Sequence, residues 1–200
     1  MPKMNDPLAD AALTAEQRAV WQKFLADHAR LQGKVAEMQT KLEAGKDDEP
    51  PMGMILSRPE FNREVARLLA LEERYGGTSS LIYFECDNLN HLTEKHGRNV
   101  TNAAIRKLCD TLLAHVRACD IVGRLDVHEF GVLLVRCDLE NAWRKGALLA
   151  EQMRAAVAEI HGHTFDLSVS FGAYTFVARD DVANGIKAAA RAMLEESKPA

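Results

Sequence analysis

The segment RLDVHEFG, residues 124–131, sets Asp126, His128 and Glu129 in one short stretch, with Val127 among them. Its flanks, IVG before and VLLV after, read as two strands, so these groups fall on a tight hairpin turn, a place usually given to Gly, Asn or Asp. A second acidic pair, Glu85 and Asp87, closes the apolar run SSLIYFEC. Carboxylates at strand ends are the raw material of a divalent-cation site, although magnesium demands near-ideal octahedral oxygen ligation. Arg117 and Asp120 form a third group. A guanidinium makes forked, charge-assisted bonds to phosphate, and a carboxylate accepts N–H groups. Their i, i+3 spacing predicts both on one helix face. The plainer alternative is a helix-end ion pair worth about 0.3–0.5 kcal/mol. Arg144 or Arg154, on the following helix, would supply a second basic contact.

The remaining reactive side chains point to packing. His161 and His163, near Asp166, lack a third ligand of suitable spacing, which predicts a solvated loop rather than a metal site. His91, His96 and His115 stand singly in helical segments, as surface or half-buried residues. Cys119 reads as a buried structural thiol, and Trp143 as a packing residue at the start of a helix.

The hydrophobic pattern supplies the elements that hold these groups. Residues 1–13 read as disordered. Thr14 with Gln17 resembles a capping box opening a helix that runs to about Ala44, where Gly45 stops it. Trp21, Phe24, His28, Leu31, Val35, Met38 and Leu42 recur at alternating spacings of three and four, a seam of period about 3.5. This predicts a homodimer paired through residues 14–44; the alternative is an amphipathic helix lying on its own domain. GKDDEPPMG, residues 45–53, is a linker, since its prolines bar helix and its acid run favours solvent. From residue 54 the pattern alternates: helix at RPEFNREVARLLALEERYG, strand at SSLIYFEC, short helix at LNHLTEKHG, long helix at VTNAAIRKLCDTLLAHVRAC. The hairpin follows, then a helix from Leu139, a strand at FDLSVSFGAYTFV and a last helix. These predict an α/β fold, an α+β sandwich with helices packed on a mainly antiparallel sheet.

Composition narrows the function classes. A net charge of -4 and a pI near 6.0 advertise no nucleic-acid face. No stretch approaches the roughly 20 apolar residues that span a bilayer, and no apolar leader opens the chain. Cys86, Cys109, Cys119 and Cys137 form no C-x-x-C pair, which predicts reduced, mostly buried thiols and a cytoplasmic protein.

The order of elements resembles that of the GGDEF domain of diguanylate cyclases, a bacterial signalling family. ILSRPEF is similar to the family's opening GLxNRxxF, and FECDNLNHLTEKHG to FDIDxFKxINDxxGH. RACDIVGRLDVHEF resembles RxxD, five residues, then GGDEF, and VSFGAY resembles the SIGVA strand. The resemblance covers about residues 54–197. It implies the nucleotidyl-cyclase-like fold, and an ancestry in which two domains each bind GTP and condense it, with magnesium, into cyclic di-GMP.

The resemblance also assigns positions. Glu85 stands at the family's metal-binding Asp, with Asp87 two residues on. Thr93 and Asn102 stand at the guanine-reading Asn and Asp; an Asn accepts fewer N–H groups than an Asp and turns a donor to the base. Asp126 and Val127 replace the two glycines. Val resists any positive φ and fills the space. Asp126 would repel a phosphate by about 4 kcal/mol at 4 Å and an effective dielectric of 20. His128 replaces a metal-binding acid, while Glu129 and Phe130 match. Leu194 and Ser197 replace the family's Tyr and Lys near the end. The expectation is a catalytically inactive module without a cofactor, with magnesium only where residual GTP binding survives. Arg117 and Asp120 match the RxxD that binds product in the family, which implies a sensor of cyclic di-GMP or a regulator of a protein partner. The alternatives are a dimeric scaffold without nucleotide, or a residual cyclase or GTP-binding domain using Glu85 and Glu129.

Overall fold

The computed structural model describes residues 14–43, 55–160 and 163–196; the expectations for residues 1–13 and 45–53 lie outside these. Helix α1 (Ala15–Glu43) opens with reciprocal bonds: Thr14 N–H to Gln17 Oε1 at 2.8 Å, and Gln17 N–H to Thr14 Oγ1 at 3.2 Å. That is the predicted capping box. Strand β1 (Leu56–Ser57) leads into α2 (Arg58–Tyr75), where Glu60 accepts the Ser57 N–H at 2.9 Å and Pro59 occupies the first turn. Gly76, at φ 78°, ends α2 in a conformation that favours glycine. Then come β2 (Ser80–Cys86), α3 (Leu89–His96), α4 (Arg98–Ala114), β3 (Ile121–Arg124) and β4 (Glu129–Leu134). Helix α5 (Leu139–Val157), the short strands β5 (Glu159–Ile160) and β6 (His163–Thr164), strand β7 (Val169–Thr175) and helix α6 (Val182–Glu196) complete the order.

The main sheet runs β1-β3-β4-β2-β7, antiparallel except for the β1–β3 pair. Its strands are apolar on both faces because helices cover both. One face, with Ile82, Phe84, Val122 and Val132, meets α4 and α5 through Leu108, Leu112, Leu149 and Met153. The other, with Leu81, Tyr83, Ile121 and Leu133, meets α2 and α6 through Phe61, Val65, Leu68, Ile186 and Met193. Gly123 and Gly131 face each other across β3 and β4, and a Cβ on either would come within 2.6 Å and 3.0 Å of Phe61. The glycine pair makes the slot that seats α2 over the hairpin.

The α+β architecture is the predicted one. Three details differ. Strand β1 and the β5–β6 ribbon were not predicted, since two-residue strands leave no periodicity to read. Helix α4 stops at Ala114, so Arg117 and Asp120 lie in a loop and not on one helix face. The first half of the α1 seam lies on its own domain: Trp21, Phe24 and His28 are 4%, 2% and 1% exposed. Three of the four cysteines are buried and all are free; burial pushes the Cys86, Cys109 and Cys119 thiols up to about 12.

Glu72 is a buried carboxylate that accepts the Ser79 hydroxyl at 2.6 Å. Burial pushes its pKa above the ordinary 4.5, against the Ser79 hydrogen bond and the Arg136 charge. Folding therefore disfavours its ionised form, and its contribution to stability rises as pH falls through the raised value toward 4.5. Glu72→Gln keeps an acceptor for Ser79 and removes that dependence. In urea titrations the variant is expected to match or exceed the wild type near pH 7, with its relative advantage shrinking toward about pH 5. A variant that loses most stability at neutral pH would contradict this account of Glu72.

Candidate functional site

The hairpin closes without glycine. Leu125 N–H donates to the Glu129 carbonyl at 2.8 Å, and Glu129 N–H to the Asp126 carbonyl at 3.4 Å. Asp126, Val127 and His128 all keep negative φ, since Arg136 and Arg179 are the non-glycine residues with positive φ among those described. Val127 thus adopts no positive φ, and its side chain stands 51% exposed. Arg124 holds the turn by donating from Nε to the Asp126 carbonyl and from Nη2 to the Val127 carbonyl, both at 3.1 Å. Asp126 Oδ1 is occupied by the Val127 N–H at 2.7 Å.

Beside the turn, Glu85 and Glu129 sit directly opposite each other on β2 and β4. Like charges so placed repel. His128 Nε2 lies 3.8 Å from Glu85 Oε1, and the His128 carbonyl accepts the Cys86 N–H at 2.9 Å. Tyr83 lies next to both acids; burial, the charges of Glu129 and Glu85 and a hydrogen bond to Glu129 push its phenol well above the ordinary range. Asp87 is turned elsewhere, accepting Ser168 and Ser170 hydroxyls at 2.9 and 3.1 Å. Thr93 donates to the Leu89 carbonyl at 3.2 Å and pairs with the Thr101 hydroxyl at 3.0 Å. Asn102 is half-buried on α4. Among the described residues no three His, Cys, Asp or Glu side chains converge as a metal-ligand set.

Arg117 and Asp120 meet at a separate pocket of about 450 Å³, with Arg136, Asp138, Arg144 and Lys145 among its lining residues. Asp120 is 4% exposed, and its oxygens accept the Arg117 N–H at 2.8 Å and the Val135 N–H at 3.0 Å. Its side chain therefore pins the loop to the end of β4 rather than pairing with the Arg117 guanidinium. Burial raises its pKa, against those two backbone bonds and the Arg117 and Lys145 charges. Asp138 caps α5 by accepting the Asn141 N–H at 2.8 Å. Arg144 pairs with Glu140 on the outer face of α5. Lys145 is held below the ordinary amine value, first by burial, with the Arg117 charge adding and Asp120 opposing. Of the two arginines named from sequence for the second contact, Arg144 lines this pocket; Arg154 donates instead to the Val169 carbonyl at 3.0 Å.

Arg136 and Lys145 were not predicted. Arg136 adopts φ 52° at the end of β4, its N–H donating to Ser79 Oγ at 3.2 Å. No residue type in RCDLE announces that kink.

Residues 51–200 match the family model described as diguanylate cyclase, GGDEF domain, and the chain belongs to this family. It is 25% identical over 107 residues to the probable diguanylate cyclase DgcE of Escherichia coli, a match covering 54% of this chain and 9% of that protein. The crystal structure of the DgcB GGDEF domain from Caulobacter crescentus in complex with c-di-GMP superposes with a TM-score of 0.60 at 15% identity, covering 76% of this chain and 90% of that one. Diguanylate cyclase SiaD of Pseudomonas aeruginosa, in complex with its activator SiaC, gives a TM-score of 0.63 at 16% identity over 90% of this chain and 71% of that one. No helix among the described residues is long and apolar enough to cross a membrane.

The two halves of the RxxD motif carry different loads, and mutation separates them. Asp120→Ala leaves the Val135 N–H of a buried bond and the Arg117 N–H of a part-buried one without acceptors, and is expected to cost about 2–3 kcal/mol in urea unfolding. Arg117→Ala, whose backbone N–H survives, is expected to change stability by less than about 0.5 kcal/mol. Equal losses would contradict this division.

Proposed function

We propose that this chain is a GGDEF module that does not catalyse and that binds cyclic di-GMP in the pocket beside Arg117. The observation that carries the reading is the charge of that pocket. Arg117, Arg136, Arg144 and Lys145 line it, and its carboxylates, Asp120 and Asp138, are already engaged by backbone N–H groups. Arg144 is paired with Glu140, so the reading rests on Arg117 and Lys145, two cations for the two phosphates of the ligand. A bound anion would also relieve the crowding of Lys145 against Arg117. The c-di-GMP complex of the DgcB domain lends support at the level of the fold.

The donor set supports the absence of catalysis. A magnesium ion bridging phosphates needs hard oxygen ligands in octahedral array. Here an imidazole stands at one ligand position, Asp87 is committed to two serines, and Glu129 is bonded to Tyr83. These residues do not fit the metal. Val127 and the charged Asp126 stand at the positions the resemblance gives to two glycines, and Thr93 is spent on its own helix.

A second reading, a dimeric scaffold acting through a protein partner, is favoured by the structural duty of Asp120. Its carboxylate already holds two backbone bonds, which leaves less of it for a guanine edge. Calorimetric titration with cyclic di-GMP decides between the two. The expected result is binding near the micromolar range, weakened about tenfold or more, roughly 1.4 kcal/mol, by Arg117→Ala and by Lys145→Ala. No heat from the wild type well above that range would leave the scaffold reading in place of the receptor.

A further inference from the structure

Lys145 differs from the other described lysines. Lys23, Lys34, Lys95 and Lys187 are exposed, and Lys107 gives its ammonium to the Glu159 carbonyl at 2.9 Å. Lys145 is half-buried on α5 and lines the pocket of about 450 Å³ together with Arg117. Its ammonium makes no hydrogen bond with a described residue. Three charged or ionisable neighbours act on it: Arg117 and Asp120 in the loop before β3, and Cys137 after β4. The Asp120 carboxylate is taken by the Arg117 and Val135 N–H groups. On its own helix, Arg144 is paired with Glu140.

An ammonium has no lone pair and cannot attack an electrophile; the free amine can. Burial and the Arg117 charge favour the free amine of Lys145, against Asp120 and Cys137. The guanidinium beside it is shaped for phosphate, to which it makes forked, charge-assisted bonds. An acyl phosphate answers both groups at once. Its phosphoryl end suits Arg117, and its carbonyl carbon suits the amine. The leaving group is an anion, and a cation placed beside it stabilises the charge that develops as the bond breaks.

We infer that Lys145 is an acylation site whose donor is a small acyl phosphate held by Arg117. The Nζ lone pair attacks the acyl carbon and a C–N bond forms. The bond from that carbon to the phosphate oxygen breaks, and inorganic phosphate leaves with the electron pair. The nitrogen gives up its surplus proton to water, and nothing is oxidised or reduced. Arg117 is a positioning residue in this step. The inference shares its pocket with the receptor reading but needs one phosphoryl group there and no dinucleotide, so the two fail separately. Acylation turns the ammonium into a neutral amide, and where cyclic di-GMP binds in the pocket this removes one of its two cations.

The test incubates the full chain with acetyl phosphate at neutral pH and follows each lysine by quantitative peptide mass spectrometry. Lys145 is expected to be acetylated about tenfold faster than Lys23, Lys95 or Lys187. Excess inorganic phosphate is expected to slow Lys145 and leave those three unchanged. Arg117→Ala is expected to slow Lys145 about tenfold, again without effect on the exposed lysines. The N-hydroxysuccinimide ester of acetic acid acylates amines without a phosphate, and with it the Arg117→Ala loss is expected to be much smaller. Equal rates at all four lysines would overturn the inference, as would a Lys145 rate indifferent to phosphate or to Arg117→Ala. An equal loss with both reagents would overturn it too, because Arg117 would then act on the amine and not on the phosphate. Calorimetry with cyclic di-GMP reads the receptor proposal independently of these rates.

Discussion

Phe61 occupies a slot that Gly123 and Gly131 leave open between facing strands, and the hairpin's place in the molecule depends on it. A fully buried aromatic ring of this kind stabilises a fold by about 3–5 kcal/mol relative to its removal. It also fixes direction. With Phe61 seated, the first turn of α2 lies over the hairpin, and Arg58 reaches the Leu125 carbonyl at 3.4 Å. The turn that bears Asp126, Val127 and His128 is thus placed by residues other than its own. The position of the turn therefore does not depend on which side chains the turn itself carries.

The same separation appears at the loop before β3. Asp120 spends its carboxylate on the Arg117 and Val135 N–H groups, so the loop keeps its shape whatever the pocket contains. The guanidinium of Arg117 and the ammonium of Lys145 carry no such duty and are left to the pocket. A Glu72–Ser79 hydrogen bond supports the other side, because Ser79 in turn accepts the Arg136 N–H in its left-handed conformation. The carboxylates of the cavity, Asp120 and Asp138, hold backbone N–H groups.

Much of this was legible in the sequence where a strong local signal existed. The Thr14–Gln17 box, the apolar run of β2, the α5 segment from Leu139 and the glycine after α3 each state their element plainly. The hairpin was legible too, but its conformation was not. The resemblance puts glycines at Asp126 and Val127, whereas Arg124 closes a turn that needs no positive φ. Long-range contacts were the other blind spot. A spacing of three residues between Arg117 and Asp120 suits a helix face, and only the end of α4 at Ala114 shows that it is a loop. The α1 seam has the same ambiguity, since a helix that packs on its own domain and one that packs on a twin need the same apolar stripe.

The central claim is that the hairpin keeps its shape and has lost its chemistry. It is tested most directly by incubating the full chain with GTP and magnesium and separating the nucleotides by chromatography with mass detection. The account predicts no cyclic di-GMP above a protein-free control over many hours. Product that accumulates in proportion to protein would contradict it, and would mean that Glu85, His128 and Glu129 can assemble a working metal centre after all.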